Sequence, residues 1–377
     1  MDIEIKVGTQ GPTAPPMDGV IRVVKSIEEA GYESVWWPDH WMGWVPESIW
    51  TPDLVGEIAN RMPSPHLFFE AYTTMAVSSY ITSRVLLGTC VTEAVRRHPT
   101  ELAQTFLTLD HISKGRVILG IGAGELENIE PYGIKWGKPV QRLKESIQII
   151  RLHWAGKKVN YEGKYWKLKD AILDLPPFEK GKCPPIWIGA HREKMLKLAG
   201  ELGDGWLPSQ LEVDEYAEKL KIVKDSAKKV GRDPETITPA LFISVVIDED
   251  HEECHRMLHS IVGKAYSLLI SPERYEKYGF EHPFKDFYAL TDYVPTRLSR
   301  QEALKAIENV PPEMCEHRGI HGTVDEVIRQ VEEYARVGVK HIVFWNMTPL
   351  MDYRKSGNSF RNLKKVLEYF QEIKNKV

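Results

Sequence analysis

The chain has 377 residues, of which 42% are hydrophobic and 27% charged, a composition that supports a large globular core and excludes intrinsic disorder. Its 49 basic and 53 acidic residues are interspersed and give a net charge of -4, so we expect no binding to nucleic acid or to anionic lipid. The sequence has no signal peptide, no apolar run of membrane-spanning length and no closely spaced cysteine pair, which predicts a cytoplasmic protein with reduced thiols and no membrane partner.

The first half of the chain alternates short β-branched or aromatic runs with segments of helical periodicity. Apolar residues at helical spacing predict a first helix that stops at Gly31, and Pro99 suits the first turn of a later helix. The predicted elements are a strand near Ile3–Val7, a helix over Met17–Ala30, a strand over Ser34–Trp37, a helix around Phe68–Ser79, a strand over Val85–Val91 and a helix from Pro99 to the turn at 113–115. This alternation is typical of a parallel sheet covered by helices.

The same alternation continues in the second half. The predicted strands are Val117–Gly122, Ile186–Gly189, Trp206–Leu207, Leu241–Ile247 and His341–Trp345, and the predicted helices are Val140–Trp154, Glu193–Leu202 and Val324–Val337. Eight strand candidates predict an α/β fold, a (β/α)8 TIM barrel, formed by residues 1–377 as a single domain. The intervals near 156–185 and 268–320 do not fit the repeat, and we interpret them as ordered insertions.

Residues with reactive side chains follow several of the predicted strands. In a barrel, the loops at the carboxyl ends of the strands open into one cavity. The candidates at these ends are Asp39, His40, Thr89, Cys90, Glu125, Ala190 and His191. His40 is the first candidate for proton exchange with a substrate, because histidine titrates near neutral pH. The alternative is that Asp39 and His40 only cap a loop.

Two further motifs are weaker. The run from Gly120 to Glu125 lets backbone N–H groups approach a ligand, but Glu125 stands where a dinucleotide-binding fingerprint needs glycine, so tight packing explains the glycines as well as function does. His251 and His255 match the H-E-x-x-H pattern of zinc peptidases. They follow three acidic residues and no third ligand is evident, so the pattern favours a solvated helix start and we expect no metal.

Four tryptophans lie within one short segment. Trp36 and Trp37 fall on the second predicted strand, where they are expected in the core or the barrel wall. Trp41 and Trp44 lie beyond the strand end. There a ring could stack on a flat cofactor or shield a substrate, or it could simply fill space.

Taken together, these motifs resemble those of the coenzyme F420-dependent branch of the bacterial-luciferase-like superfamily, and within it the phthiodiolone ketoreductases most. The likeness spans nearly the whole chain. It rests on Asp39-His40, Val45-Pro46, Ser48-Ile49, Cys90-Val91-Thr92-Glu93, Arg96-Arg97, Pro99, Gly120-Ile121-Gly122, Gly124-Glu125, Glu130-Pro131-Tyr132-Gly133, Trp136, Lys138-Pro139, Asp174-Leu175-Pro176-Pro177, Ile186-Trp187, Ala190-His191, Gly322-Thr323 and Asp325-Glu326-Val327.

The resemblance implies a luciferase-like barrel in which a deazaflavin, coenzyme F420, lies at the carboxyl face and exchanges a hydride with a small carbonyl-type substrate. It implies catalytic roles for His40, Trp44 and Glu125. It implies cofactor contacts for Asp39, Thr89, Cys90, Val91, Asn128, Gly189, Ala190 and His191. A cis peptide bond between Cys90 and Val91 and a homodimer are also implied.

Several alternatives stay open at this point. The cofactor could be FMN and the reaction a monooxygenation, or the substrate could be a methylene-pterin, as in methylenetetrahydromethanopterin reductase. A zinc peptidase built on His251 and His255 and a non-catalytic flavin-binding protein are further options. Many relatives have glycine where His191 stands, and the sequence shows no long apolar channel, so the lipid-sized ketone of the ketoreductases is not carried over.

Overall fold

The protein, described here by a computed structural model that covers residues 4–376, forms a closed barrel of eight parallel strands. Neighbours in the barrel follow chain order, and the last strand pairs with the first, placing Ile342 opposite Val7. The strands are β1 (Lys6–Gln10), β2 (Ser34–Trp37), β3 (Leu86–Thr89), β4 (Val117–Gly122), β5 (Ile186–Ile188), β6 (Gly205–Trp206), β7 (Thr238–Ile247) and β8 (His341–Asn346). This arrangement confirms the predicted (β/α)8 barrel.

One long helix follows each strand and covers the outside of the barrel. The helices are α1 (Met17–Ala30), α2 (Ala71–Ile81), α3 (Pro99–Ser113), α4 (Pro139–Trp154), α5 (Glu193–Leu202), α6 (Val213–Lys229), α7 (Val324–Arg336) and α8 (Ser356–Lys376). As predicted, α1 ends at Gly31, which adopts the left-handed conformation with φ of 92°. A capping box formed by Thr323 and Glu326 starts α7.

The tryptophans of β2 divide between the two layers of the core. Trp36 points into the barrel, where its ring lies 5.1 Å from that of Trp187 and its Nε1 donates a hydrogen bond to Oγ of Ser34 at 2.7 Å. A Cβ at Gly88 would come within 2.3 Å of the Trp36 ring, so β3 needs glycine there. Trp37 packs between strands and helices and is fully buried. Both rings belong to the core, as the sequence predicted.

Two segments depart from the repeat. Between α4 and β5 lies an antiparallel hairpin of Val159–Glu162 and Lys167–Ala171. Between β7 and α7 the chain makes a long detour over residues 248–323, called the β7–α7 excursion below. It contains the helices His251–Leu258, Ile261–Ser267, Pro272–Lys277, Ala289–Asp292, Arg300–Glu308 and Pro312–Glu316 and the strand Ile320–Gly322. It is wider than the interval 268–320 marked in the sequence, because its first two helices precede residue 268.

Other differences from the predicted elements are confined to their ends. The strand predicted over Val85–Val91 stops at Thr89, and the two-residue strand Thr92–Glu93 then pairs with the end of β4. The first strand begins at Lys6, while Ile3 of the predicted Ile3–Val7 strand lies outside the described residues. The remaining short helices are Pro52–Val55, Ile58–Arg61 and Thr348–Met351. Of the helices in residues 4–376, none has both the length and the apolar character needed to cross a membrane.

Candidate active site

A histidine and a glutamate from two different strand ends meet at the carboxyl mouth of the barrel. His40 follows β2 and Glu125 follows β4, and Nε2 of His40 lies 3.2 Å from Oε2 of Glu125. The side chain of His40 is 10% exposed and that of Glu125 is 28% exposed, so the pair remains accessible to a small ligand. An imidazole and a carboxylate at this distance can pass a proton between them.

The other ring nitrogen of His40 has both a hydrogen-bond acceptor and a donor beside it. Nδ1 lies 3.0 Å from the carbonyl oxygen of Met42 and 3.2 Å from Nδ2 of Asn128. When Nδ1 carries a proton it donates to Met42, and when it does not it accepts from Asn128. Nδ1 therefore has a hydrogen-bond partner in either tautomer. His40 can gain or lose a proton at Nε2 while Nδ1 keeps a hydrogen bond.

Asn128 links the loop after β2 to the loop after β4. Its Oδ1 accepts hydrogen bonds from the backbone N–H groups of Trp41 and Met42 at 2.7 and 3.0 Å. Its Nδ2 donates to Oε1 of Glu127 at 2.8 Å. Asn128 is buried, and these bonds use its side chain to fix the position of His40. Asn128, which is predicted to contact the cofactor, thus holds His40 in position.

A second carboxyl group, which the sequence did not single out, lies behind this pair. Glu127 is completely buried, and its Oε1 is 4.0 Å from Nδ1 of His40. Burial, and then the adjacent Glu125, raise the pKa of Glu127 well above its usual value, which favours its protonated form. His40, Glu125 and Glu127 offer ligand atoms within 4.8 Å of one another, which is also a donor set that a divalent cation could use.

Asp39 is held by two arginines. Both oxygens of its carboxylate accept hydrogen bonds from Arg97, Arg96 lies 3.1 Å away, and Thr92 donates to it at 2.7 Å. Burial alone raises the pKa of Asp39, but the two guanidinium charges and these hydrogen bonds outweigh it and keep the pKa below its usual value. The carboxylate of Asp39 is thus fully occupied by partners within the protein. A ligand at this position would contact the residues around Asp39 rather than its carboxylate.

The ends of β3 and β5 adjoin each other at the mouth. The peptide bond between Cys90 and Val91 is cis, as the resemblance implied. The side chain of Val91 packs over Gly122 and Gly189, where added Cβ atoms would lie 2.9 and 3.3 Å from it. Burial, and then Glu125, raise the pKa of the Cys90 thiol, so this thiol is neutral.

The predicted residues after β5 and the end of β3 serve partly structural purposes. The carbonyl oxygen of Ala190 accepts a hydrogen bond from Nε1 of Trp206 at 3.0 Å. Burial lowers the pKa of His191 to about 4, and its neutral ring lies 3.2 Å from Oγ of Ser209. The hydroxyl group of Thr89 donates to the carbonyl oxygen of Gly120 and accepts from its N–H, which fixes β3 to β4 and leaves little for a ligand.

Two aromatic rings border His40, and a third stacks on one of them. Its ring centroid is 5.8 Å from that of Trp44 and 5.7 Å from that of Phe68. Tyr293, from the β7–α7 excursion, stacks on Trp44 with 6.2 Å between centroids and 22° between ring planes. Trp44 therefore lies beside His40, whereas Trp41 packs against Arg96, whose guanidinium carbon is 4.5 Å from the ring centroid.

The histidines of the H-E-x-x-H motif lie elsewhere, in the β7–α7 excursion. As predicted, His251 starts a helix whose N-cap is Asp250, with the carboxylate accepting from the N–H of Glu252. The sequence shows no obvious third ligand after the motif, but the fold brings His321 against both histidines. His321 is distant in sequence and follows no regular spacing, so only the fold could reveal it.

Comparison with known proteins agrees with this geometry. The sequence profile of the luciferase-like monooxygenase family matches residues 3–341. The chain is 36% identical over 321 residues to the phthiodiolone/phenolphthiodiolone dimycocerosates ketoreductase of Mycobacterium tuberculosis H37Rv, covering 84% of each chain. It is 28% identical over 321 residues to the 5,10-methylenetetrahydromethanopterin reductase of Archaeoglobus fulgidus, covering 85% of this chain and 87% of that protein.

Solved structures agree at the level of the fold. An F420-dependent secondary alcohol dehydrogenase in complex with an F420-acetone adduct superposes with a TM-score of 0.75 at 21% identity, over 96% of this chain and 98% of that one. The coenzyme F420-dependent tetrahydromethanopterin reductase of Methanopyrus kandleri gives 0.71 at 23% identity, over 93% and 96%. By the extent of the profile match and the identity to the ketoreductase, the chain belongs to the luciferase-like monooxygenase family.

Proposed function

We propose that the protein is a coenzyme F420-dependent oxidoreductase that moves a hydride between the deazaflavin and a small carbonyl or secondary-alcohol substrate. The observation that carries this proposal is the His40–Glu125 pair at the barrel mouth, 3.2 Å apart and partly exposed. A ketone that accepts a hydride also needs a proton on its oxygen, and this pair can supply one. The names of the ketoreductase relative and of the alcohol dehydrogenase neighbour point to the same chemistry.

The cofactor ring is proposed to lie at the mouth of the barrel, beside Val91. Gly122 and Gly189 leave room there for the side chain of Val91, which packs over them. Two buried polar atoms near the site have no hydrogen-bond partner among the described residues, namely Oε2 of Glu127 and Oη of Tyr293. The residues proposed to hold the cofactor are Cys90, Val91, Asn128, Gly189, Ala190 and His191, with Asp39 acting through its arginines. F420, when bound, supplies the hydride.

His40 is proposed as the proton donor to the substrate oxygen, and as the acceptor in the reverse direction. Its Nε2 faces Glu125, while Met42 and Asn128 satisfy Nδ1 in either tautomer. Proton transfer from Nε2 therefore leaves the orientation of the ring unchanged. A positioned general acid of this kind contributes about 10²- to 10⁴-fold to a rate.

Glu125 is proposed to exchange protons between His40 and solvent, since it is the more exposed partner. The neutral Glu127 behind it places no full negative charge beside the imidazole and accepts a hydrogen bond from Asn128. Trp44, held by Tyr293, is proposed to cover the substrate and limit water at the reacting carbon.

A second candidate is reduction of a methylene-pterin, which the Archaeoglobus relative favours. Here the electrophile is a carbon–nitrogen centre rather than a carbonyl. Substrate assays with reduced F420 and either a ketone or a methylene-pterin distinguish the two. A monooxygenase using FMN would instead consume dioxygen.

The test begins with the cofactor. Purified protein is titrated with F420, FMN and nicotinamide cofactors while ring absorbance is followed, and F420 alone is expected to bind tightly. Reduced F420 is then mixed with short ketones, and loss of the reduced form is timed. His40→Ala should lower turnover by about 10²-fold or more with cofactor affinity little changed. The exposed His111 on α3 provides the matched control, and His111→Ala should behave as the parent.

Equal loss of turnover and cofactor affinity in His40→Ala would make His40 a binding residue and refute its proposed role. Failure to bind F420 at all would refute the proposed function. A cytoplasmic homodimer is also proposed from the family resemblance. Light scattering on a sizing column tests the dimer directly.

A further inference from the structure

Three histidines converge where the β7–α7 excursion begins and ends. His251 and His255 lie one turn apart on the helix His251–Leu258, and His321 is the central residue of the strand Ile320–Gly322, which pairs with the end of β7. Each offers a ring nitrogen, and these nitrogens all lie within 4.8 Å of one another. The three ring centroids are 4.5, 5.4 and 5.7 Å apart.

We propose that His251, His255 and His321 form a binding site for a divalent transition-metal ion of the zinc class. Three imidazoles bound to one tetrahedral ion at Zn–N distances of about 2.0–2.1 Å have ring centroids roughly 5 Å apart. The observed spacing brackets this value, so small side-chain rotations are enough to close the site. Nitrogen ligands without any thiolate suit zinc, nickel, cobalt or copper and disfavour magnesium and calcium.

Carboxylates lie beside the Nδ1 atoms of two of the three rings. Oε2 of Glu326 lies 2.9 Å from Nδ1 of His251, and Oε1 of Glu316 lies 3.6 Å from Nδ1 of His255. With Nδ1 of each ring beside a carboxylate, Nε2 is the nitrogen that would bind an ion, which is the usual arrangement around histidine-bound metals.

His321 completes the set. Its Nδ1 is buried and has no hydrogen-bond partner among the described residues. A buried polar atom without a partner needs one, and an ion held at this imidazole would answer that need.

The proposed site would connect two segments of the chain and would not catalyse peptide hydrolysis. A zinc peptidase needs the glutamate of its motif at the metal-bound water, whereas Glu252 is exposed and is not part of the cluster. An ion here would join a helix at the start of the excursion to the strand at its end. Such a link restricts a long loop and so stabilises the excursion that carries Tyr293.

The test uses full-length protein freed of its purification tag and stripped of metal by a chelator. Calorimetric titration with zinc chloride should show one equivalent that magnesium chloride does not reproduce, and zinc should raise the melting temperature. His321→Ala should remove this equivalent. Glu326→Gln, which keeps the helix cap, should weaken it roughly 10- to 100-fold. His111→Ala, the loss of an exposed histidine outside the cluster, should leave it unchanged.

Circular dichroism and F420 titration show whether each variant has folded. If His321→Ala does not fold, His251→Gln takes its place, since this side chain is half exposed and less embedded. The absence of a zinc equivalent in the parent protein, or its persistence in a folded His321→Ala or His251→Gln variant, overturns the proposal. Binding of F420 by the metal-free protein separates this result from the proposed function.

Discussion

Replacing Glu127 by glutamine tests whether the buried carboxyl group behind His40 is protonated. Glutamine has nearly the same shape as a neutral glutamic acid, and its carbonyl oxygen can still accept the hydrogen bond from Asn128. If Glu127 is neutral, as its burial and the adjacent Glu125 indicate, Glu127→Gln should change the turnover number by less than about threefold, corresponding to well under 1 kcal/mol.

The opposite charge state would give a very different result. A carboxylate whose Oε1 lies 4.0 Å from Nδ1 of His40 would stabilise a protonated imidazole. At an effective dielectric constant of about 20, this interaction is worth about 4 kcal/mol, or about three pKa units. Glu127→Gln would then shift the limb of the pH–rate profile that reports His40, the alkaline limb in ketone reduction, by about three units. A profile that stays in place supports a neutral Glu127.

The assay is the pH dependence of kcat and kcat/KM for F420-linked turnover in the parent and in Glu127→Gln, with Glu127→Ala as a comparison. Alanine leaves Nδ2 of Asn128 without its acceptor at 2.8 Å, which costs about 1–3 kcal/mol and loosens the brace on His40, so turnover should fall about 5- to 100-fold. A shift of two units or more in Glu127→Gln, or equal losses in both variants, would refute the reasoning.

The same substitution has a consequence for stability. The folded protein raises the pKa of Glu127 above its ordinary value of 4.5, so the unfolded chain loses this proton first as pH rises. The native state then binds more protons, and the contribution of Glu127 to the free energy of unfolding decreases with rising pH above about 4.5. Chemical denaturation across this range should show that Glu127→Gln removes the decrease.

Further substitutions test other parts of the argument. Asp39→Asn removes one carboxylate from the buried Arg96 and Arg97, which keep Glu93 and Glu70 as partners, and should lower the free energy of unfolding by about 1.5–3 kcal/mol, measured by urea denaturation; a loss below 1 kcal/mol would show that Asp39 is not needed. Gly88→Ala forces a Cβ against the Trp36 ring and should cost about 1–3 kcal/mol in the same assay, whereas a neutral result would mean that the ring can move freely. Trp44→Leu should raise KM and shorten the lifetime of the substrate complex while F420 affinity is kept, as followed by stopped-flow absorbance; unchanged KM would remove Trp44 from the substrate site. In the His321→Ala variant, which lacks the proposed three-histidine site, a chelator should leave turnover intact, and inhibition that added metal reverses would mean that the carboxylates beside His40 hold an ion.

The barrel could be predicted from sequence because its periodic signals are local. Each strand is a short apolar run and each helix carries apolar residues at helical spacing, so α1, α5, β2 and β4 were predicted with the bounds that the structure has. The ends of other elements were less accurate. The end of β3, for example, depends on the turn at Cys90 and Val91 and on pairing of the next two residues with β4, and neither leaves a periodic signal.

The site was predictable only where it follows strand ends. His40 and Glu125 were found because both come directly after a strand and carry reactive groups. Glu127 lies only two residues after Glu125, so its position near the site could be inferred from the sequence. Its burial, which raises its pKa, depends on packing that the residue spacing does not indicate. Tyr293 and His321 lie in an aperiodic segment, so their partners could be identified only from the folded chain.

The barrel and the β7–α7 excursion contribute differently to the site. The groups proposed to move protons, His40 and Glu125, are fixed to the barrel strands, where a rigid sheet keeps them at hydrogen-bond distance. The ring that holds Trp44 over His40 belongs to Tyr293 in the β7–α7 excursion. Changes in that excursion can therefore alter which substrate fits beneath Trp44 without moving the proton-transfer pair. Because the three histidines join the two ends of the same segment, the stability of the excursion and the choice of substrate are expected to change together.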